Sequence, residues 1–113
     1  MRFDLEQRTT EYAKRVIRLC SALPKNSVNS RLSAQAVGSA GSVGANYREA
    51  NDALSKKDFI FRLKISRKEA KESIHWLELI AEANRPFEKR MVDLLKEGVE
   101  IRNILSAIII KSR

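Results

Sequence analysis

Seven residues, Phe87, Met91, Leu94, Gly98, Ile101, Leu105 and Ile108, recur at intervals of 4, 3, 4, 3, 4 and 3. A strand cannot gather such a set, because its side chains alternate between faces with a period of two. A helix can, and an unbroken heptad seam of this kind must be covered by other helices. The same spacing appears in Leu5, Thr9, Tyr12, Val16, Leu19 and Leu23, which predicts a first helix from Asp4 to Leu23, capped by Asp4 and stopped by Pro24. After a loop from Pro24 to Ser27, Leu32, Ala36, Val43 and Tyr47 keep helical spacing over Val28 to Ala53, as do Val37, Ala40 and Gly44. Gly38, Gly41 and Gly44 each weaken a helix by about 1 kcal/mol. With Ser39, Ala40, Ser42 and Ala45 beside them, they are expected to form a buried face that a neighbour approaches closely. A third helix is expected from Ser55 to Asn84, with Ser55 as cap and Asp58 completing a capping-box-like start. Its core side holds Phe59, Leu63, Ser66, Ala70 and Leu77. Arg85-Pro86 breaks the chain, and Pro86 suits the first turn of the fourth helix.

Four helices joined by loops of two to five residues must turn back on their neighbours. The expected fold is therefore all-α, an antiparallel up-down-up-down four-helix bundle, forming a single domain over residues 1–113. No strand pattern and no longer repeat competes.

Composition matters chiefly through charge. The 22 Lys and Arg against 14 Asp and Glu leave a net charge of +8, which attracts nucleic acid, anionic lipid or acidic proteins without choosing among them. Cys20 is the only cysteine, so neither an internal disulfide nor a cysteine-based metal cluster can form; it lies on an apolar face, as a small core residue does. Met1-Arg2-Phe3-Asp4 has no apolar secretory core, and the longest aliphatic run, Ile108-Ile109-Ile110, is far short of the roughly 20 residues that span a bilayer. The expected location is the cytoplasm.

Two further faces of the third helix stand apart from its core side. Lys57, Lys64, Lys68 and Lys71 fall within about 40° of one another, with His75 in line, and Arg67 lies off the stripe toward the core edge. A lysine face of this kind is either ordinary solvated surface or a track for phosphates. Phe61, Ile65, Trp76 and Leu79 form a flank of their own, mixed with Glu72. Such an apolar edge points to a subunit interface anchored by Trp76, to a wide core that absorbs it, or to stacking on unpaired bases.

Catalytic arrangements find little support. Glu72-Ser73-Ile74-His75 has the Glu-x-x-His spacing of di-iron bundles, but that site needs two such motifs and His75 is the only histidine. Gly38, Gly41 and Gly44 follow no strand and precede no Gly-Lys-Ser/Thr, so they make neither a Walker loop nor a dinucleotide fingerprint. No Ser-His-Asp set can be assembled. Neither metal nor cofactor is expected, and the chain reads as a non-enzyme.

Two stretches carry a family resemblance. Ser42-Val43-Gly44-Ala45-Asn46-Tyr47-Arg48-Glu49-Ala50 is similar to Ser-x-x-x-Asn-Ile-x-Glu-Gly, and Lys56 through Arg67 is similar to Lys-x-x-Phe/Tyr-x-x-x-Leu-x-Ile-Ala-Arg, followed by Glu72. Over nearly its full length the chain resembles the small bacterial proteins first recognised as products of intervening sequences in 23S ribosomal RNA genes. It departs from their pattern at Ala50, where glycine is usual, and at Lys68-Glu69, where Gly-Ser is common. The resemblance implies a four-helix bundle that assembles into rings, often pentamers. It also implies kinship with the accessory protein of diversity-generating retroelements, which binds nucleic acid and works with a reverse transcriptase. Asn46, Glu49 and Glu72 are the motif positions carried over. They are expected to hold one another or helix ends by hydrogen bonds, with ligand binding as the alternative.

The leading expectation is a homo-oligomeric accessory protein that binds nucleic acid through Arg8, Lys14, Arg15, Arg18, Lys57, Lys64, Lys68 and Lys71. With no recognition-helix motif, it should show little sequence preference. The rival is a scaffold ring for an acidic protein partner. A membrane-surface role fits poorly, because the apolar residues are committed to the bundle.

Overall fold

Three of the four helices begin where a side chain satisfies one of the first amides; the fourth, which follows a tight turn, has no such cap. In the computed structural model, which describes residues 4–113, an Asp4 carboxylate oxygen accepts the Glu6 amide at 3.0 Å, the Asn26 side chain accepts the Asn29 amide at 2.8 Å, and the Ser55 hydroxyl accepts the Asp58 amide at 3.0 Å. Caps of this type contribute about 1 kcal/mol each. The resulting elements are α1 (Leu5–Ala22), α2 (Ser27–Asn51), α3 (Lys56–Ala83) and α4 (Glu88–Lys111), and no strand occurs among the described residues.

Most helix boundaries shift by a residue or two from the sequence reading, α2 ending at Asn51 rather than Ala53, and two of the shifts have a clear local cause. Helix α2 starts at Ser27, because Asn26 supplies a cap that the loop assignment overlooked. Pro86 lies in a separate 3-10 turn, Arg85–Phe87, rather than in the first turn of α4. There the Phe87 amide donates to the Asn84 carbonyl at 2.8 Å, closing a tight turn that reverses the chain before α4 begins.

Cross-links between α2 and α3 descend one helix as they climb the other, so this pair runs antiparallel within the all-α bundle. Ser66 donates to the Val43 carbonyl at 2.7 Å, while nearer the other end of the same pair Asn84 and Asn29 exchange amide hydrogen bonds at 2.8 and 2.9 Å. The α2–α3 contact is the most extensive and the α1–α4 contact the least; α1 lies diagonally across from α3. The long axis measures 45 Å, as a helix the length of α3 requires.

The core centres on Tyr12, Ser73 and Gly98. The Tyr12 hydroxyl crosses the bundle to Ser73 Oγ at 2.7 Å, and Ser73 in turn donates to the Ala70 carbonyl at 2.7 Å. Burial raises the Tyr12 pKa, keeping the phenol neutral. The heptad seam of α4 is buried from Met91 through Leu105, but at its end Ile109 takes the buried position and Ile108 is half-buried. A straight helix drifts by about 20° per heptad, so the buried register slips by one residue.

The small residues of α2 behave less uniformly than expected. A methyl group at Gly44 would meet Thr9 Oγ1 at 2.9 Å, so α1 does approach closely there; at Gly38 and Gly41 nothing lies within 4 Å. Those two glycines face outward, because only one side of α2 turns to its neighbours. Among the described residues, no helix is long and apolar enough to cross a membrane.

Candidate nucleic-acid interface

The outward side of α3 carries the lysine stripe. Lys57, Lys64, Lys68 and Lys71 are all exposed, and none pairs with a carboxylate among the described residues. Lys64, Arg67, Lys68, Lys71, Glu72 and His75 line one concavity of about 370 Å³. Arg67 lies toward the core edge, as its helical position predicts. Its long side chain comes to the concavity and also reaches Ser106 of α4 at 3.5 Å. A second carboxylate, Glu69, is pushed above its ordinary range by burial first and by the Glu72 charge second, with Lys68 opposing. Cations spaced along a rigid helix in this way can hold a run of phosphates by charge without reading bases.

The basic residues of α1 do not join that face. Arg8 is spent inside the protein: its guanidinium forks onto both Glu97 oxygens at 2.7 Å and donates to Glu100 at 2.8 Å. The Glu97 hydrogen bond leads in holding its proton tightly, against a desolvation cost. A phosphate contact at Arg8, expected from the sequence, would have to compete with these two carboxylates. Lys14 stays on the surface, 3.5 Å from Glu11. Arg15 and Arg18 line a shallow concavity of about 170 Å³ with Leu19, Leu94 and Arg90 of α4. Arg90, absent from the sequence reading, lies 5.2 Å from the centre of the Phe87 ring. The cations therefore form two separate patches, one on α3 and one on the α1–α4 seam.

The apolar flank of α3 is divided. Phe61 is 53% exposed and Leu79 38% exposed, whereas Ile65 is half-buried and Trp76 packs against the core with its ring edge-on to His75 at 4.9 Å. Bundle packing thus absorbs part of the edge and leaves two side chains outside.

Among the motif positions, Asn46 donates to the Ser42 carbonyl one turn earlier at 2.9 Å. Glu49 is exposed and Glu72 half-exposed, and neither forms a hydrogen bond or ion pair among the described residues. The expected hydrogen bonds of these carboxylates to one another or to helix ends do not form among the described residues; both side chains are at least partly open to solvent, so neither bears the cost of an unpartnered buried charge.

The larger concavities have other chemistry. One of about 570 Å³ between α1 and α2 is mainly apolar and lined by Cys20, whose thiol burial pushes up and so keeps protonated. Another, of about 1040 Å³ beside Arg8, mixes Asp4, Glu6 and Lys111 with Leu5, Ile104 and Ile108. Among the described residues no group of His, Cys, Asp and Glu side chains could hold a metal ion.

The family model for 23S rRNA-intervening sequence protein matches residues 1–107. A crystal structure of a protein of unknown function from the S23 ribosomal protein family, from Bacteroides thetaiotaomicron VPI-5482, is similar at 34% identity. It covers 94% of this chain and 98% of that one, with a TM-score of 0.82. No curated protein matches.

Proposed function

The chain belongs to the 23S rRNA-intervening sequence protein family, and from that premise we propose that it is a non-enzymatic, homo-oligomeric accessory protein of the cytoplasm that binds nucleic acid through phosphate contacts. The observation that carries this reading is the α3 face, where Lys57, Lys64, Lys68 and Lys71 stand without carboxylate partners and Arg67 joins them. Like charges gathered on one rigid surface repel one another until a polyanion neutralises them. Arg15, Arg18 and Arg90 form a secondary contact, and Lys14 contributes through charge alone. Self-association draws on the Trp76–Leu79 end of the apolar flank, where the exposed leucine adjoins the half-buried indole.

Fluorescence anisotropy of the protein with a labelled mixed-sequence oligonucleotide, titrated across salt, tests the reading. Binding should weaken linearly in a log-log plot with a slope of about 0.7 to 0.9 per phosphate neutralised. The combined Lys64→Glu, Lys68→Glu and Lys71→Glu substitution should abolish binding at about 150 mM salt while circular dichroism stays unchanged. Unaltered affinity in that variant overturns the assignment. Failure of the native protein to bind at all turns the cationic face over to an acidic protein partner.

A further inference from the structure

We propose that the α3 face takes unpaired, single-stranded nucleic acid, with the Phe61 ring stacked on a base and Lys57, Lys64 and Lys68 holding the flanking phosphates. This rests on the nucleic-acid reading above and narrows it to a class of ligand.

Phe61 is 53% exposed on α3, so its ring is presented rather than packed. Its surroundings decide what it is presented to. On a helix the nearest surface neighbours lie three, four and seven positions away; for Phe61 these include Lys57, Asp58, Lys64, Ile65 and Lys68. Four of those five are charged, and the Arg62 guanidinium stands 5.8 Å from the ring centre. Cores of protein interfaces are depleted in charged residues, because their burial strips water from each charge. A second subunit seated on Phe61 would have to desolvate this ring of charges. A nucleotide would not: its base covers the apolar ring while its phosphates meet the surrounding cations. Basic surface interleaved with aromatic rings is how sequence-tolerant single-strand binders work, and arginine beside the aromatic adds a cation–π contribution.

The pattern extends along the helix. His75, 14 positions beyond Phe61 and thus about 21 Å away, exposes a ring that Trp76 fixes edge-on at 4.9 Å. Lys64, Lys68 and Lys71 lie between the two rings. A duplex could use those cations, but its bases are stacked on one another and give Phe61 nothing to cover. The ring therefore separates single strands from duplexes where the lysines cannot. By contrast, Leu79, the other exposed member of the flank, has Trp76, His75 and Ala83 among its near neighbours with two acids, Glu72 and Glu82, and no lysine or arginine to meet a phosphate, which suits it to a subunit contact rather than to a strand.

The test compares a single-stranded oligonucleotide of mixed, non-self-complementary sequence with the same strand annealed to its complement. Both are titrated by anisotropy across salt, against the native protein and the Phe61→Leu and Phe61→Trp variants. Sedimentation velocity is run on each protein. The native chain should prefer the single strand. Phe61→Leu should lose about tenfold of that affinity with an unchanged salt slope, unchanged duplex binding and unchanged sedimentation. Phe61→Trp should retain it, because an indole stacks where a leucine only fills space. Equal affinity for both ligands, with Phe61→Leu indistinguishable from native, overturns the single-strand assignment and leaves the phosphate-binding reading standing. A Phe61→Leu variant that sediments as a smaller species overturns it too, giving the ring to a neighbouring subunit. Absence of binding to either ligand by the native protein removes the function reading and this inference together.

Discussion

A methyl group added at Gly98 would meet the Tyr12 hydroxyl oxygen at 2.8 Å and Ile74 Cγ1 at 3.1 Å, whereas one added at Gly38 or Gly41 would meet nothing within 4 Å. Replacing a helix-interior glycine by alanine gains about 0.5–1 kcal/mol in backbone entropy at any of these positions. At Gly98 the gain is outweighed, because Tyr12 is fully buried, tied to Ser73 and unable to retreat, and overpacking costs about 1–3 kcal/mol. Gly38→Ala and Gly41→Ala should therefore raise Tm, and Gly98→Ala should lower it by about 4 °C or more, in thermal melts followed by circular dichroism. Equal rises at all three would show that Tyr12 yields. The seam position of Gly98 was legible in its spacing. What approaches it was not, because Tyr12 comes from a helix 86 positions earlier in the chain. The reading of Gly38 and Gly41 as a packed face erred for a related reason: small residues permit close approach without requiring a neighbour.

Among the helices, the tightest specification is the polar joint between α2 and α3. Asn29 and Asn84, 4% and 5% exposed, exchange two hydrogen bonds, and their remaining amide hydrogens go to the Pro24 and Ile80 carbonyls. One pair of side chains thus fixes the α1–α2 loop, the first turn of α2 and the last turn of α3 together. Removing either partner leaves the other buried with unmet groups, at a cost of about 1–3 kcal/mol. Asn84→Ala and Asn29→Ala should each destabilise by about 2 kcal/mol in urea titrations, and the double variant should cost little more than one single. Simple addition of the two losses would show that the amides act independently. Helical periodicity located all four helices because each buries a stripe, but it had no means of finding this joint. Asparagine reads as a turn or cap residue, and its partner lies 55 positions away. The 3-10 turn at Arg85–Phe87 was hidden similarly, since Pro86 is compatible with either helix type.

At the scale of the whole molecule, charge was the least legible quantity. Periodicity placed the α3 lysines on one exposed face, yet nothing near Arg8 in sequence announced that Glu97 and Glu100 would claim it. Opposite charges far apart in the chain find each other only through the fold. The Arg8 fork matters most because α1 and α4 otherwise share little surface. Charge-assisted, partly buried pairs contribute about 1.5–3 kcal/mol, so Arg8→Ala should lower stability in urea by about 1–2 kcal/mol after allowance for its partial exposure. An unchanged urea midpoint would mean that apolar packing alone closes the seam. The thin α1–α4 seam also fixes the order in which the molecule comes apart. Local opening follows the weakest-packed boundary, so amide protons of α1 should exchange with solvent ahead of those in the α2–α3 hairpin. A native protein that breathes along one seam loses its first helix while the remaining hairpin still holds, as a book opens along its free edge with the spine intact.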